Sequence, residues 1–116
     1  MFTCYNKILA KSMKKRVPDF FNFMRVNEQI EWEKRLWVMP SWGSSRFPNT
    51  GLYSYICNEY NIPFNTFSYQ YSFERACQEA IEEIEEKGSI VPCFDYILID
   101  ESQDFTESFF RLCELV

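Results

Sequence analysis

Phe94-Asp95-Tyr96-Ile97-Leu98-Ile99-Asp100-Glu101-Ser102-Gln103-Asp104-Phe105 is the most informative run in this chain. Ile97, Leu98 and Ile99 are consecutive apolar residues. That pattern predicts a strand over Phe94–Ile99 with both faces buried, as in the interior of a parallel sheet. Asp100 and Glu101 then leave the strand at its carboxyl end, the edge at which open α/β sheets bind ligands. Two adjacent carboxylates there have a natural division of labour. One can hold Mg²⁺, directly or through water, while the other orients or deprotonates an attacking water. A purely structural alternative exists for part of the run. Asp104-x-x-Glu107 is an acceptable variant of a capping box, and acids near a helix start complement the macrodipole. Capping does not account for the whole string.

Working outward, the residues before this run predict alternating elements. Met1–Tyr5 reads as a short strand, and Asn6 can cap a helix running through Lys15 that Pro18 stops. Phe20–Val26 is aromatic and apolar enough for a second strand. Glu28–Val38 is expected to be helical, and Pro40, Gly43, Ser44, Ser45 and Pro48 mark a loop. Thr50–Tyr60 predicts a helix with Leu52, Ile56 and Tyr60 on one side, ended by Pro63. Ser72–Lys87 carries the clearest helical pattern. Phe73, Ala76, Cys77, Ala80, Ile81 and Ile84 recur at helical spacing, and Gly88 stands where a C-terminal cap belongs. Thr106–Leu115 predicts a final helix. Strands alternating with helices argue for an α/β layer with parallel strands.

At 116 residues, 47% of them hydrophobic, the chain can build one modest core and one domain at most. Its 12 basic and 17 acidic side chains leave a formal charge of −5. That balance argues mildly against autonomous nucleic-acid binding, which favours positive charge. The charge is segregated, however. Lys7, Lys11, Lys14, Lys15 and Arg16 occupy the first sixteen residues with no acid among them. Cys4, Cys57, Cys77, Cys93 and Cys113 are scattered, odd in number and never paired as C-x-x-C, and there is no histidine. Neither zinc nor a disulfide framework is expected from such spacing. Reduced, mostly buried thiols in a cytoplasmic protein are the expectation. No apolar run is long enough for a membrane-spanning helix.

Ile97–Phe105, I-L-I-D-E-S-Q-D-F, resembles motif II (the Walker B segment) of UvrD/Rep-like superfamily 1 helicases, whose pattern is apolar residues followed by D-E-x-Q-D. Gln103 and Asp104 separate it from D-E-A-D and D-E-x-H relatives. The resemblance implies that Asp100 serves the Mg²⁺ of bound MgATP and that Glu101 activates the hydrolytic water. It also implies that Asp100, Glu101 and Gln103 lie against the nucleotide, and that Gln103 and Asp104 couple nucleotide state to the neighbouring domain and DNA. Phe2–Ala10, F-T-C-Y-N-K-I-L-A, is similar to motif Ia, a strand ending in T-x-x-N before a helix with L-A. In the family this turn touches the backbone of single-stranded DNA. Thr3 and Asn6 would donate hydrogen bonds to phosphate, with Lys7 and the basic helix adding charge. The aromatics between Trp42 and Phe73 are expected to be core rather than a base-stacking platform, and the loose likeness of Trp42-Gly43-Ser44 to the next DNA-contacting motif carries no role.

The family's phosphate loop, G-x-x-x-x-G-K-[ST], has no counterpart, since Gly43, Gly51 and Gly88 are the only glycines and none precedes a Lys-Ser or Lys-Thr. The expected fold is therefore an incomplete RecA-like P-loop NTPase domain, a parallel sheet flanked by helices. Residues 1–116 would be a fragment of the first motor domain, with the phosphate loop and the second motor domain absent. The remainder of the helicase chain becomes its expected partner, together with single-stranded DNA (RNA is the alternative substrate). ATP and Mg²⁺ are expected in the parent, with neither bound tightly by the isolated chain. A degenerate, non-catalytic module binding nucleic acid or protein is the rival. A metal-dependent nuclease using Asp95, Asp100, Glu101 and Asp104 is disfavoured, because Asp95 and Asp100 would stand about 17 Å apart along a strand.

Overall fold

The computed structural model describes residues 1–116 and is an α/β fold with a three-stranded parallel sheet flanked by helices. β1 (Phe2–Cys4) leads into α1 (Lys7–Phe23), and β2 (Val38–Pro40) follows. Next come α2 (Leu52–Glu59), α3 (Phe73–Lys87), β3 (Leu98–Ile99) and α4 (Glu107–Leu115). The sheet order is β2-β1-β3, with β1 at the centre and both pairings parallel.

Register divides the strand residues into two rows. Phe2 stands level with Val38 and Leu98, and Thr3 with Met39 and Ile99. Side chains alternate along a strand, so these rows face opposite sides of the sheet. Met39 lies in the main core with Leu52, Tyr53 and Ile56 of α2, Ala76 and Ile84 of α3, and Phe109 and Leu112 of α4, and Ile99 packs against it. Phe2, Val38 and Leu98 face the other side, where Met13, Val17 and Phe20 of α1 share a concavity with them. α1 thus covers one face and α2–α4 the other. Right-handed crossovers demand this, because the chain moves one way across the sheet through α1 and the opposite way through α2 and α3.

Several expectations hold. α3 begins at Ser72, whose side chain accepts from the Arg75 amide at 3.2 Å, and ends at Gly88 with φ +69°. α2 and α4 fall within a residue or two of their predicted bounds. Three corrections concern other segments. α1 does not stop before Pro18 but runs through it to Phe23, so Phe20–Val26 is no strand. Proline costs the helix one bond, yet Val17, Phe20 and Phe21 continue the apolar spacing set by Ala10 and Met13. Glu28–Val38 is not helical. It forms a turn closed by bonds from the Arg35 and Leu36 amides to the Glu31 carbonyl, then enters β2. Proline is accommodated at Pro40 because β2 is an edge strand.

The third correction concerns β3. Only Leu98–Ile99 pairs, since β1 offers just three residues, and the strand is not buried on both faces. Leu98 is 64% exposed because α1 covers β1 and β2 and leaves this face of β3 bare. Cys4, Cys57 and Cys77 are buried and all five thiols are free. Burial pushes the Cys57 thiol up to about 11 and Cys113 to about 12, which keeps them protonated and unreactive near neutrality. No helix is long and apolar enough to cross a membrane.

Two glycines hold the loop after β2 against α2. The Tyr53 amide donates to the Ser41 carbonyl at 2.8 Å and the Ser54 amide to the Trp42 carbonyl at 3.0 Å, satisfying the start of α2. A Cβ on Gly51 would lie 2.2 Å from the Gly43 nitrogen, so only glycine permits the approach. Gly51→Ala should therefore destabilise the chain by about 1–3 kcal/mol. An unchanged urea midpoint would mean that the loop gives way freely.

Candidate functional site

The carboxyl ends of the three strands are stitched together by main-chain bonds. The Asp100 amide donates to the Thr3 carbonyl at 2.9 Å, and the Ser41 amide to the Cys4 carbonyl at 2.9 Å. This brings Asp100–Glu101, the Tyr5–Asn6 turn and the Pro40–Ser41 turn to one edge. Asp100 is half-buried and Glu101 exposed. Burial pushes the Cys4 thiol up, and the neighbouring Asp100 carboxylate adds to that shift.

Glu101 takes a left-handed conformation, φ 52° and ψ 49°, uncommon for a residue with a Cβ. Its amide donates to Asp100 Oδ1 at 3.1 Å, and its carboxylate accepts from Gln103 Nε2. A 3₁₀ turn over Ser102–Asp104 follows, closed by the Asp104 amide on the Glu101 carbonyl at 3.0 Å. The turn aims the exposed Glu101, Gln103 and Asp104 side chains outward from the strand end, while Phe105 tucks back. Its ring stacks on Phe109 at 4.2 Å and meets Tyr5 edge-on at 5.9 Å. Helix capping explains little here, since no side chain caps α4.

The residues singled out near the amino end are placed differently from one another. Thr3 is fully buried in the sheet, and its Oγ1 has no hydrogen-bond partner. It therefore offers no hydroxyl to a phosphate in solvent. Asn6 is exposed, but its Oδ1 accepts from the Ile8 amide at 2.7 Å, the N-cap of α1. Lys7 is exposed and lines a shallow groove of about 420 Å³ with Lys11 and Lys14 of α1, Pro40 of β2, and Asn49 and Thr50 before α2. Lys14 is engaged by Glu33 at 3.3 Å and lies over the Trp32 ring at 5.3 Å, leaving Lys7 and Lys11 outside any ion pair. Sequence reasoning took Lys11 and Lys14 only as charge on the basic helix and did not single out Asn49 and Thr50. The lysine spacing of four and three was the available signal, since it puts all three on one helix face.

The expected core role of the aromatics holds for most of them. Tyr53 is fully buried, and Trp42 packs against Tyr53 and Phe73 while its indole N–H donates to the Asn65 carbonyl at 3.3 Å. Phe47 and Phe67 are exposed. Asp95 lies at the opposite end of β3 from Asp100, where it lines the concavity beneath α1. Comparison of the chain with protein-family models, curated proteins and solved structures finds no match.

Because Asn6 caps α1, Asn6→Ala should lower stability by about 1 kcal/mol with no ligand present. Equal thermal midpoints for the two proteins would assign the side chain no part in holding the helix.

Proposed function

We propose that these residues belong to the first motor domain of an ATP-dependent helicase or translocase, a RecA-like P-loop NTPase of the UvrD/Rep-like kind. The observation that carries this reading is the string I-L-I-D-E-S-Q-D-F, with Asp100–Glu101 delivered at the carboxyl end of a parallel strand. The parent would couple MgATP hydrolysis to movement along single-stranded nucleic acid. Its phosphate loop and second motor domain would come from polypeptide outside these 116 residues.

The donor set suits the ion this reading requires. Mg²⁺ keeps several waters and takes one or two carboxylates together with phosphate oxygens. Asp100, half-buried and anchored through its amide, would hold the ion, and exposed Glu101 would orient and deprotonate the attacking water. Gln103, bonded to the Glu101 carboxylate, would keep that base aimed and sense whether nucleotide is present. Asp104 would carry the change onward. The Lys7–Lys11 face and the polar Asn49 and Thr50 across the groove suit a phosphodiester backbone, with lysine charge giving affinity and no base preference. The buried position of Thr3 shifts the expected contact from its hydroxyl to these side chains.

Sequencing the DNA on both sides of these codons would identify such a parent. In that parent, Asp100→Ala and Glu101→Gln should each lower ATP turnover by about 10²-fold or more while sparing the fold. Turnover at the wild-type rate in either variant would refute the assignment. The 116-residue chain alone should not hydrolyse MgATP. Its binding to a fluorescent oligo-dT should weaken in Lys7→Glu/Lys11→Glu, with the salt slope falling by about 0.7 for each phosphate no longer neutralised. An unaltered slope would remove the groove from the nucleic-acid path.

A further inference from the structure

Two acid-free stretches of the sequence meet at the lysine groove. No acid precedes Asp19, and none lies between Glu33 and Glu59. The first stretch supplies Lys7, Lys11 and Lys14 to the groove, and the second supplies Pro40, Asn49 and Thr50. The loop that carries Asn49 and Thr50 also carries Arg46 and Phe47. Arg46 is exposed and in no ion pair. Phe47 is 65% exposed. Phe67, exposed as well, meets Trp42 edge-on at 5.7 Å, whereas Phe47 packs against no other ring.

A lone exposed apolar residue is ordinary, but this one is displayed from a fixed backbone. Phe47 bridges Ser44 across the turn in an antiparallel pair. Its carbonyl accepts from the Thr50 amide at 3.2 Å and the Thr50 hydroxyl at 2.6 Å, which ties it to the groove wall. Pro48 follows, and its carbonyl accepts from the Ser54 hydroxyl of α2 at 2.6 Å. The close approach of Gly43 and Gly51 clamps the base of the loop. An aromatic ring held this way loses little conformational freedom when a ligand covers it.

We infer that Phe47 is a base-stacking platform that makes the lysine groove select single-stranded over duplex nucleic acid. The inference rests on the reading of that groove as a nucleic-acid path. A strand whose phosphates lie on Lys7 and Lys11 passes Thr50, to which Phe47 is bonded. Stacking needs one ring face and tolerates every base. A duplex keeps its bases stacked on one another and offers the ring none. Arg46 adds positive charge beside the ring. A protein partner fits less well, because the exposed neighbours Ser45, Arg46, Asn49 and Thr50 are polar and one ring gives little apolar area.

The test measures binding of the 116-residue chain to labelled oligo-dT, to an abasic oligomer with the same number of phosphates, and to a duplex. The chain should bind oligo-dT about fivefold or more tighter than the abasic oligomer. Phe47→Ala should remove that difference and leave abasic binding, duplex binding and the thermal midpoint unchanged. Phe47→Trp should restore it. Wild-type binding of both single-stranded probes by Phe47→Ala would overturn the inference. So would an equal loss on both, which would mark Phe47 as a support of the loop alone. The Lys7→Glu/Lys11→Glu chain separates this inference from the reading beneath it. If that chain weakens all three probes and Phe47→Ala weakens none, the groove remains a nucleic-acid path and stacking is lost. If it weakens none, the path falls and this inference falls with it.

Discussion

Main-chain bonds along both sides of β1 set its register against its neighbours, and the rest of the molecule follows from them. The Phe2 amide reaches the Trp37 carbonyl at 2.7 Å and the Ser41 amide the Cys4 carbonyl at 2.9 Å. On the other side the Leu98 and Asp100 amides reach the Met1 and Thr3 carbonyls. A slip of one residue would exchange the two faces of β1. Phe2 would then turn toward α2–α4 and Thr3 away, out of step with Met39 and Ile99. The same slip would move Asp100 and Glu101 away from the turns at Asn6 and Ser41. Selection of the core face and delivery of the acid pair are therefore one constraint, met by very short strands.

The sequence was legible where a single local pattern determined the outcome. α3 had a helical stripe, a serine cap and a terminal glycine, and all three act as their chemistry requires. The acid pair was legible for a related reason, since apolar residues followed by Asp-Glu mark a strand end whatever lies around it. Failure came where the local signal misled or was absent. Pro18 read as a stop, but α1 runs through it to Phe23; Phe20 and Phe23 beyond it stay largely exposed beside the concavity, and packing gives no account of the continuation. β2 was missed because three residues carry too little periodicity, and its pairing with β1 is a long-range fact. The Gly43–Gly51 approach was invisible for the same reason. Neither glycine lies in a recognisable turn motif, and the constraint exists only when the loop and α2 meet.

Thr3 illustrates a different limit. Its type and spacing suggested a hydroxyl turned to solvent, yet the row it shares with Met39 and Ile99 faces the covered side of the sheet. A buried hydroxyl without a partner costs about 1–3 kcal/mol, and valine would fill the same space without that penalty. Packing gives no account of the threonine. What spacing could not supply was strand parity, which decides whether position 3 faces helices or solvent. Asn6 and Lys7 escape this uncertainty because they lie beyond the strand, where the chain has already left the sheet.

The two faces of the sheet also differ in how firmly they hold the site. On one, α2, α3 and α4 enclose a continuous core centred on Tyr53, Phe73, Ile84 and Phe109. On the other, α1 covers β1 and β2 and leaves β3 bare. Asp100 and Glu101 stand at the boundary. Behind them, Phe105 stacks on Phe109 and ties their turn to the enclosed side. Ahead of them the acids face solvent, and the outward groups of β3 have no partner. A left-handed Glu101 costs on the order of 1–3 kcal/mol, and such a conformation persists only where its surroundings over-determine it. Here the anchored Asp100 amide on one side and the 3₁₀ turn with Phe105 on the other supply that restraint. The acid pair is therefore fixed from behind by the packing of Phe105 on Phe109.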